Sequence, residues 1–239
     1  MNLTIDDFRH RIEYSLCQQF ASADDLKAFC ERARSARVGV ACLNPVWVKL
    51  GSKLLSDTDM DISCNVGFPF GSHFTEVKVM ETKRGIADGA TQIDMVINVG
   101  ALRSNEDNVV LDDIRAVVEA AEGKPVKTII ETWVLTTGEK QRACRIAEEA
   151  GAHLVKTTTG VRTQYLEMMN KNPKGAVLED IVLMRKVLSD KVRIKASGGI
   201  YDLDYALELI KGGADQLGVS RGEELIREFG SRYGNQVEV

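Results

Sequence analysis

Four ionisable side chains fall inside runs that otherwise read as buried β-strand: Asp94 in QIDMVIN, Lys127 in VKTIIE, Lys156 in HLVKTT and Lys195 in VRIKAS. A single lysine in a strand usually faces solvent or carries its charged head out along the strand end, and a lone aspartate can simply accept bonds from a loop. The combination says more. Lys156 and Lys195 occupy the same relative height on two consecutive strands, so their side chains can approach one another. Like charges brought together, partly out of water, disfavour both being ionised. One amine is then partly neutral near pH 7, and a neutral amine is a nucleophile where an ammonium is not. Asp94, two strands earlier, is placed to pair with one lysine or to relay protons. An activated amine beside an acid–base group suggests imine chemistry on a carbonyl compound.

Other residues suggest what that carbonyl compound carries. ASGGI (196–200) and LGVSRG (217–222) end the last two strand-like runs in glycine-rich turns. In parallel barrels such loops bind phosphate through backbone N–H groups and a helix start. Gly198 and Gly199 let the backbone come close to an anion, and Ser197, Ser220 and Arg221 add donors. The hydroxyls of Thr157, Thr158 and Thr159 follow Lys156 directly; ordinary β-propensity accounts for two of the three, and Thr158 is the one expected at the substrate.

The elements that must position these groups alternate along the chain. Strand-like runs at 12–17, 38–43, 61–67, 92–98, 126–131, 153–158, 192–197 and 214–220 are separated by stretches with helical apolar spacing. The helix after Ser22 opens with a cap residue followed by Asp24 and Asp25, near the positive end of the dipole. Glycines at 89, 151 and 213 end three helices just before three strands. Strand and helix in eightfold alternation predict a parallel α/β architecture with right-handed crossovers. The competitor is an open doubly wound sheet; the count of eight and the length favour a closed (β/α)8 TIM barrel, one domain over residues 1–239.

Bulk composition narrows the function classes. The 239 residues carry 31 basic and 35 acidic side chains, a net charge of −4, with no cationic excess to grip a nucleic-acid backbone. No apolar run approaches the roughly 20 residues of a membrane span, and MNLTIDDFRHRIEY lacks a signal-peptide pattern. Five cysteines (17, 30, 42, 64, 144), none in CxxC, suit free thiols in a reducing cytoplasm. Histidines 10, 73 and 153 show no ligand spacing, so no metal and no cofactor are expected.

Taken together, these motifs resemble the deoxyribose-phosphate aldolase family. The likeness rests on IDMVINVG around Asp94, GAHLVKTTTG around Lys156 and VRIKASGGI around Lys195. It extends to CLNP (42–45), GFPFG (67–71), TEVK (75–78), DIRAVVEAA (113–121), IIET (129–132) and LGVSRG. The resemblance implies a class I, Schiff-base-forming aldolase that splits 2-deoxy-D-ribose 5-phosphate into D-glyceraldehyde 3-phosphate and acetaldehyde, in deoxyribonucleotide catabolism. By that resemblance Lys156 forms the imine, Lys195 lowers its pKa and joins the proton relay, and Asp94 shuttles protons. Gly198, Gly199 and Ser220 would hold the phosphate.

The chain departs from the family pattern at several points. Glu13 stands where the opening motif has aspartate, Trp133 follows IIET's Glu-Thr, Val161 follows Thr159-Gly160, and Tyr201 replaces an arginine after SGGI. The 161–176 segment is longer than usual and reads as an extra turn or lid. These departures bear on the substrate rather than the reaction. The alternatives are a related class I aldolase for another phosphorylated aldehyde or ketone, or a catalytically silent sugar-phosphate-binding barrel. The partner expected is a small phosphorylated sugar; a homo-oligomer is compatible with the fold, although no interface is legible.

Overall fold

Eight parallel strands close into a barrel in the computed structural model, which describes residues 2–164, 167 and 175–239. They are β2 (Ile12–Leu16), β3 (Val40–Leu43), β4 (Asp61–Val66), β5 (Gln92–Val96), β6 (Val126–Ile129), β7 (Leu154–Lys156), β8 (Arg193–Ser197) and β9 (Gln216–Val219). Each pairs with its sequence neighbour, and β9 returns to β2 to close the ring. This is the expected (β/α)8 barrel. A short antiparallel pair, β1 (Asn2–Thr4) with β10 (Gln236–Glu238), ties the two chain ends together.

Strand parity explains the division of the core. Ile93 and Met95 of β5, like Ile194 and Ala196 of β8, are fully buried apolar side chains in the hydrophobic core. The residues between them, Asp94 and Lys195, meet across the barrel interior. Successive side chains on a strand point to opposite faces, so one apolar set packs outward and one polar set faces the axis. The interior carries Glu13, Ser63, Asp94, Lys127 and Lys195, all at most 1% exposed. Burying that many charges is costly unless each is paired.

The expected helices form. Ser22 caps α2 (Ala23–Ala36), its hydroxyl accepting from the Asp25 N–H while the Asp25 carboxylate accepts from the Ser22 N–H, a reciprocal capping box. The glycines at 89, 151 and 213 adopt φ of +107°, +87° and +112°, a region other residues seldom enter. Sequence expectation carries several strands one to three residues too far. HLVKTT ends at Lys156, beyond which the hydroxyls of Thr157 and Thr158 both donate to the Ser197 carbonyl. VKTIIE ends at Ile129, and Glu131 lies in the left-handed region at φ 58° before a 3₁₀ turn, Thr132–Val134. Among the described residues, no helix is long and apolar enough to cross a membrane.

Candidate active site

The closing geometry of the barrel brings the sequence-selected charges together. Lys156 and Lys195 are register partners across β7 and β8, and Asp94 and Lys127 are partners across β5 and β6. Lys156 Nζ donates to Asp94 Oδ2 at 2.7 Å, and Lys195 Nζ donates to the same oxygen at 2.6 Å. Lys127 Nζ lies 2.9 Å from the other oxygen, Asp94 Oδ1, and donates to Ser63 Oγ at 3.2 Å. Ser63 in turn donates to Asp94 Oδ1 at 3.1 Å.

Glu13 completes the cluster from β2. One of its oxygens accepts from Lys127 and the other from Lys195. The Glu13 carboxylate therefore ends at two buried lysine nitrogens inside the barrel, outside the cavity lining. On sequence alone Glu13 reads only as a departure from the family pattern, and Lys127 has no role. The available signal was parity: both charges lie on inward positions of buried strands.

The electrostatics follow from this packing. Burial pushes the Asp94 carboxyl up, but Lys127, Lys156 and Lys195 outweigh it and hold the group well below the usual carboxylate range. Burial and the Asp94 charge likewise push Glu13 up, and Lys127 and Lys195 bring it below its ordinary value. Burial alone would lower Lys195; Asp94 and Glu13 reverse that and raise it. Lys195 is thus an ammonium clasped by two carboxylates. Glu13, Cys42 and Asp94 also bring donor atoms within 4.8 Å of one another, a set that could hold a cation. Both carboxylates there already bind lysine nitrogens.

Above this cluster a cavity of about 580 Å³ opens at the C-terminal ends of the strands, the functional end of this fold. Of the cluster, only Lys156 reaches it. Ser197, Gly198, Gly199 and Ser220 line one side, as expected of an anion-binding wall. Gly198 and Gly199 have φ of +92° and +72°, and the last long helix, α10 (Gly222–Tyr233), starts just beyond Ser220. Lys156 and Arg162 are the basic residues lining the cavity among the described residues.

Two expected substrate contacts fall elsewhere. Thr158 is fully buried and does not line the cavity: its hydroxyl donates to the Ser197 carbonyl at 2.7 Å and accepts the Gly160 N–H at 3.2 Å. It supports the glycine loop from beneath, because a Cβ on Gly198 would come within 2.6 Å of Thr158 Oγ1. Arg221 also lies outside the lining, its guanidinium drawn to Glu224 in the first turn of α10. Trp133 does not reach the rim either. Its indole N–H donates to Glu131, whose other oxygen accepts the Thr159 N–H, so Trp133 acts on the cavity loop through Glu131. Burial pushes the Glu131 carboxyl up. Tyr201 does line the cavity. Most of the expected 161–176 lid, residues 165, 166 and 168–174, lies outside the described residues.

A buried ion pair fixes the neighbouring wall. Lys78, on α4 (Thr75–Ala87), donates to Asp113 Oδ2 at 2.5 Å and to the Val96 carbonyl at 3.0 Å. Its stem lies directly beneath Gly67, where a Cβ would meet Lys78 Cε at 2.9 Å. The GFPFG loop that supplies Phe68 and Pro69 to the cavity therefore rests on this lysine.

Comparison with known proteins identifies the family of the chain. The model of the DeoC/LacD family aldolase matches residues 4–223. The chain is 43% identical over 230 residues to a deoxyribose-phosphate aldolase of Thermotoga sp. (strain RQ2), covering 96% of this chain and 89% of that one. It is 42% identical over 217 residues to the deoxyribose-phosphate aldolase of Bacillus subtilis (strain 168), covering 90% and 93% respectively. Among solved structures, the tetrameric deoxyribose phosphate aldolase of Aeropyrum pernix superposes with a TM-score of 0.84 at 26% identity, over 95% of this chain and 92% of that one.

Proposed function

The chain belongs to the DeoC/LacD family of aldolases, and from that footing we propose that it cleaves 2-deoxy-D-ribose 5-phosphate with Lys156 as the imine-forming residue. The observation that carries the assignment is that Lys156 alone joins the buried charge cluster to the cavity.

Charge counting within the cluster selects the nucleophile. Two carboxylates, Glu13 and Asp94, face three amines, so the cluster is neutral when one amine is uncharged. Lys127 and Lys195 each lie against both carboxylates. Lys156 has one acceptor, an oxygen it shares with Lys195, and it opens on the cavity. Lys156 is therefore the amine placed to meet a carbonyl carbon.

The chemistry then runs in balanced steps. The Lys156 amine attacks the C1 aldehyde of the open-chain sugar, and loss of water with uptake of a proton from the relay leaves an iminium. The 3-hydroxyl gives up its proton through a water toward Asp94, the C2–C3 bond breaks, and its electron pair passes into the iminium to give an enamine. Glyceraldehyde 3-phosphate leaves. The enamine takes a proton at C2, water hydrolyses the iminium, and acetaldehyde and the free amine are released. Asp94 accepts from Lys156 on one side and Lys195 on the other, so a proton can pass among the three without crossing bulk solvent. Backbone N–H groups at Gly198, Gly199 and Ser220, with the Ser197 hydroxyl, face the phosphate, and Arg162 adds positive charge at the cavity.

The whole chain, residues 1–239, acts as one barrel domain. Its free thiols suit the cytoplasm, where the reaction would serve deoxynucleoside breakdown. Homo-oligomer formation fits this reading, and the Aeropyrum relative described above is tetrameric. The test is release of glyceraldehyde 3-phosphate from the sugar phosphate, followed with a coupled dehydrogenase. The wild-type chain should turn over and Lys156→Ala should not. Equal turnover by both would remove Lys156 from the chemistry.

A further inference from the structure

The loop after Lys156 is tied to a carboxylate that never reaches the cavity. Glu131 follows β6 with φ 58°, a left-handed backbone that residues other than glycine seldom adopt. Such backbone persists where surrounding bonds over-determine it. Both Glu131 oxygens are engaged: Oε2 accepts the Trp133 indole N–H and Oε1 accepts the Thr159 backbone N–H. The main chain runs the same way, the Thr132 N–H donating to the Thr157 carbonyl at 3.0 Å. Glu131 and Trp133 lie outside the cavity lining, whereas Thr159, Gly160 and Arg162 belong to it.

From Thr159 the linkage continues to the glycine turn after β8. The Gly160 N–H donates to Thr158 Oγ1 and the Val161 N–H to Thr159 Oγ1, both at 3.2 Å. A Cβ on Gly198 would lie 3.2 Å from Gly160 Cα and 3.4 Å from Gly175 Cα, so three backbones meet there with no side chain between them. The Ala176 N–H donates to the Gly198 carbonyl at 3.0 Å and closes the far side. Packing this close passes a displacement of Thr159 on to Gly198. Trp133, one of the chain's departures from the family pattern, brings a donor-only N–H. With it, the Glu131 carboxylate is fixed at both oxygens and cannot turn away from Thr159.

We propose that Glu131 and Trp133 are positioning residues for the substrate's phosphate: the indole fixes the carboxylate, the carboxylate holds Thr159, and Thr159 sets the Gly160–Gly198 contact that shapes the anion-binding wall. This deepens the proposed function and rests on it for the phosphate.

The experiment measures cleavage of 2-deoxyribose 5-phosphate, and borohydride inactivation by acetaldehyde, which carries no phosphate. It uses wild type, Trp133→Phe, Glu131→Ala and the double variant. Trp133→Phe keeps an aromatic ring and removes the donor, and it should raise KM for the sugar phosphate about threefold or more. Glu131→Ala, which removes a charged acceptor, should raise it about tenfold or more. In both, kcat should change less than KM, and inactivation by acetaldehyde should stay within about twofold of wild type. The double variant should be no worse than Glu131→Ala, because Trp133 acts through that carboxylate. A KM that neither substitution moves overturns the inference. So does acetaldehyde inactivation that slows in step with the rise in KM, the sign of a merely structural role. Losses that multiply in the double variant overturn the route from Trp133 through Glu131. An unmoved KM beside an intact Lys156 adduct overturns this inference only, and no adduct in wild type overturns the proposed function as well.

Discussion

Lys156 and Lys195 stand side by side on adjacent parallel strands and point their nitrogens at a single oxygen, Asp94 Oδ2, at 2.7 and 2.6 Å. The shared acceptor makes the two lysines unequal. Lys195 has a second carboxylate behind it, and Lys156 has the cavity in front of it. Lys195 is held as an ammonium between two carboxylates, and Lys156 is the amine that a carbonyl compound can reach.

Removing the shared acceptor should therefore stop chemistry while leaving substrate binding largely in place. Asp94→Asn is expected to lower kcat by about 100–10,000-fold, the range for loss of a positioned proton-transfer group. KM should change little, because Asp94 does not line the cavity. Steady-state kinetics on 2-deoxyribose 5-phosphate checks this, and a loss confined to KM would contradict it.

The cluster also sets the acid limit of stability. Burial raises the Asp94 and Glu13 carboxyls, yet the surrounding ammoniums leave both below their ordinary values. A carboxyl depressed in the folded state contributes stability that is complete above its unfolded value, about 4, and is lost as pH falls through the folded value. The urea midpoint should hold near neutrality and fall on acidification below about pH 4. Glu13→Gln, which removes one such group, should unfold more readily at pH 7 and show a shallower acid decline. An unchanged acid slope would mean that Glu13 is not depressed by its lysines.

The site was legible in the sequence wherever a charge broke an apolar strand pattern. Asp94, Lys156 and Lys195 could be selected because a barrel interior normally carries branched apolar side chains, and the structure brings all three together. Lys127 obeys the same rule but carries no role on sequence alone, and Glu13 reads there only as a departure from the family pattern; the structure joins the two across 114 positions. Thr158 and Arg221 failed for a different reason. Sequence places them on the correct loops, but local bonding turns them away: Thr158 toward the Ser197 carbonyl and Arg221 toward Glu224 one turn along its own helix. The β1–β10 pair was invisible because three-residue strands show too few alternations to read.

At the proposed phosphate wall, Gly198 is the position where a single methyl group should matter most. Its φ is +92° and an added Cβ would lie 2.6 Å from Thr158 Oγ1. Gly198→Ala should raise KM for the phosphorylated sugar by about tenfold or more, a loss on the order of 1.4 kcal/mol in binding. Turnover of unphosphorylated 2-deoxyribose should be much less affected. Equal damage to both substrates would place the phosphate elsewhere.

Support of the GFPFG loop makes a stability prediction independent of catalysis. Lys78 and Asp113 are 0% and 3% exposed, and each is the other's compensating charge. Lys78→Met leaves a buried carboxylate unpaired and should cost about 3–5 kcal/mol. The double variant Lys78→Met/Asp113→Asn should recover part of that loss. Chemical denaturation of the three proteins measures both effects, and a fully stable single variant would contradict the role given to the pair.

The central claim is that Lys156 forms the covalent intermediate, and borohydride reduction in the presence of 2-deoxyribose 5-phosphate, followed by peptide mass spectrometry, tests it most directly. The account predicts a reduced adduct on the peptide containing Lys156, absent in Lys156→Ala, with Lys195 and Lys127 unmodified. An adduct on Lys195 instead, or none on Lys156 with any aldehyde, would contradict it.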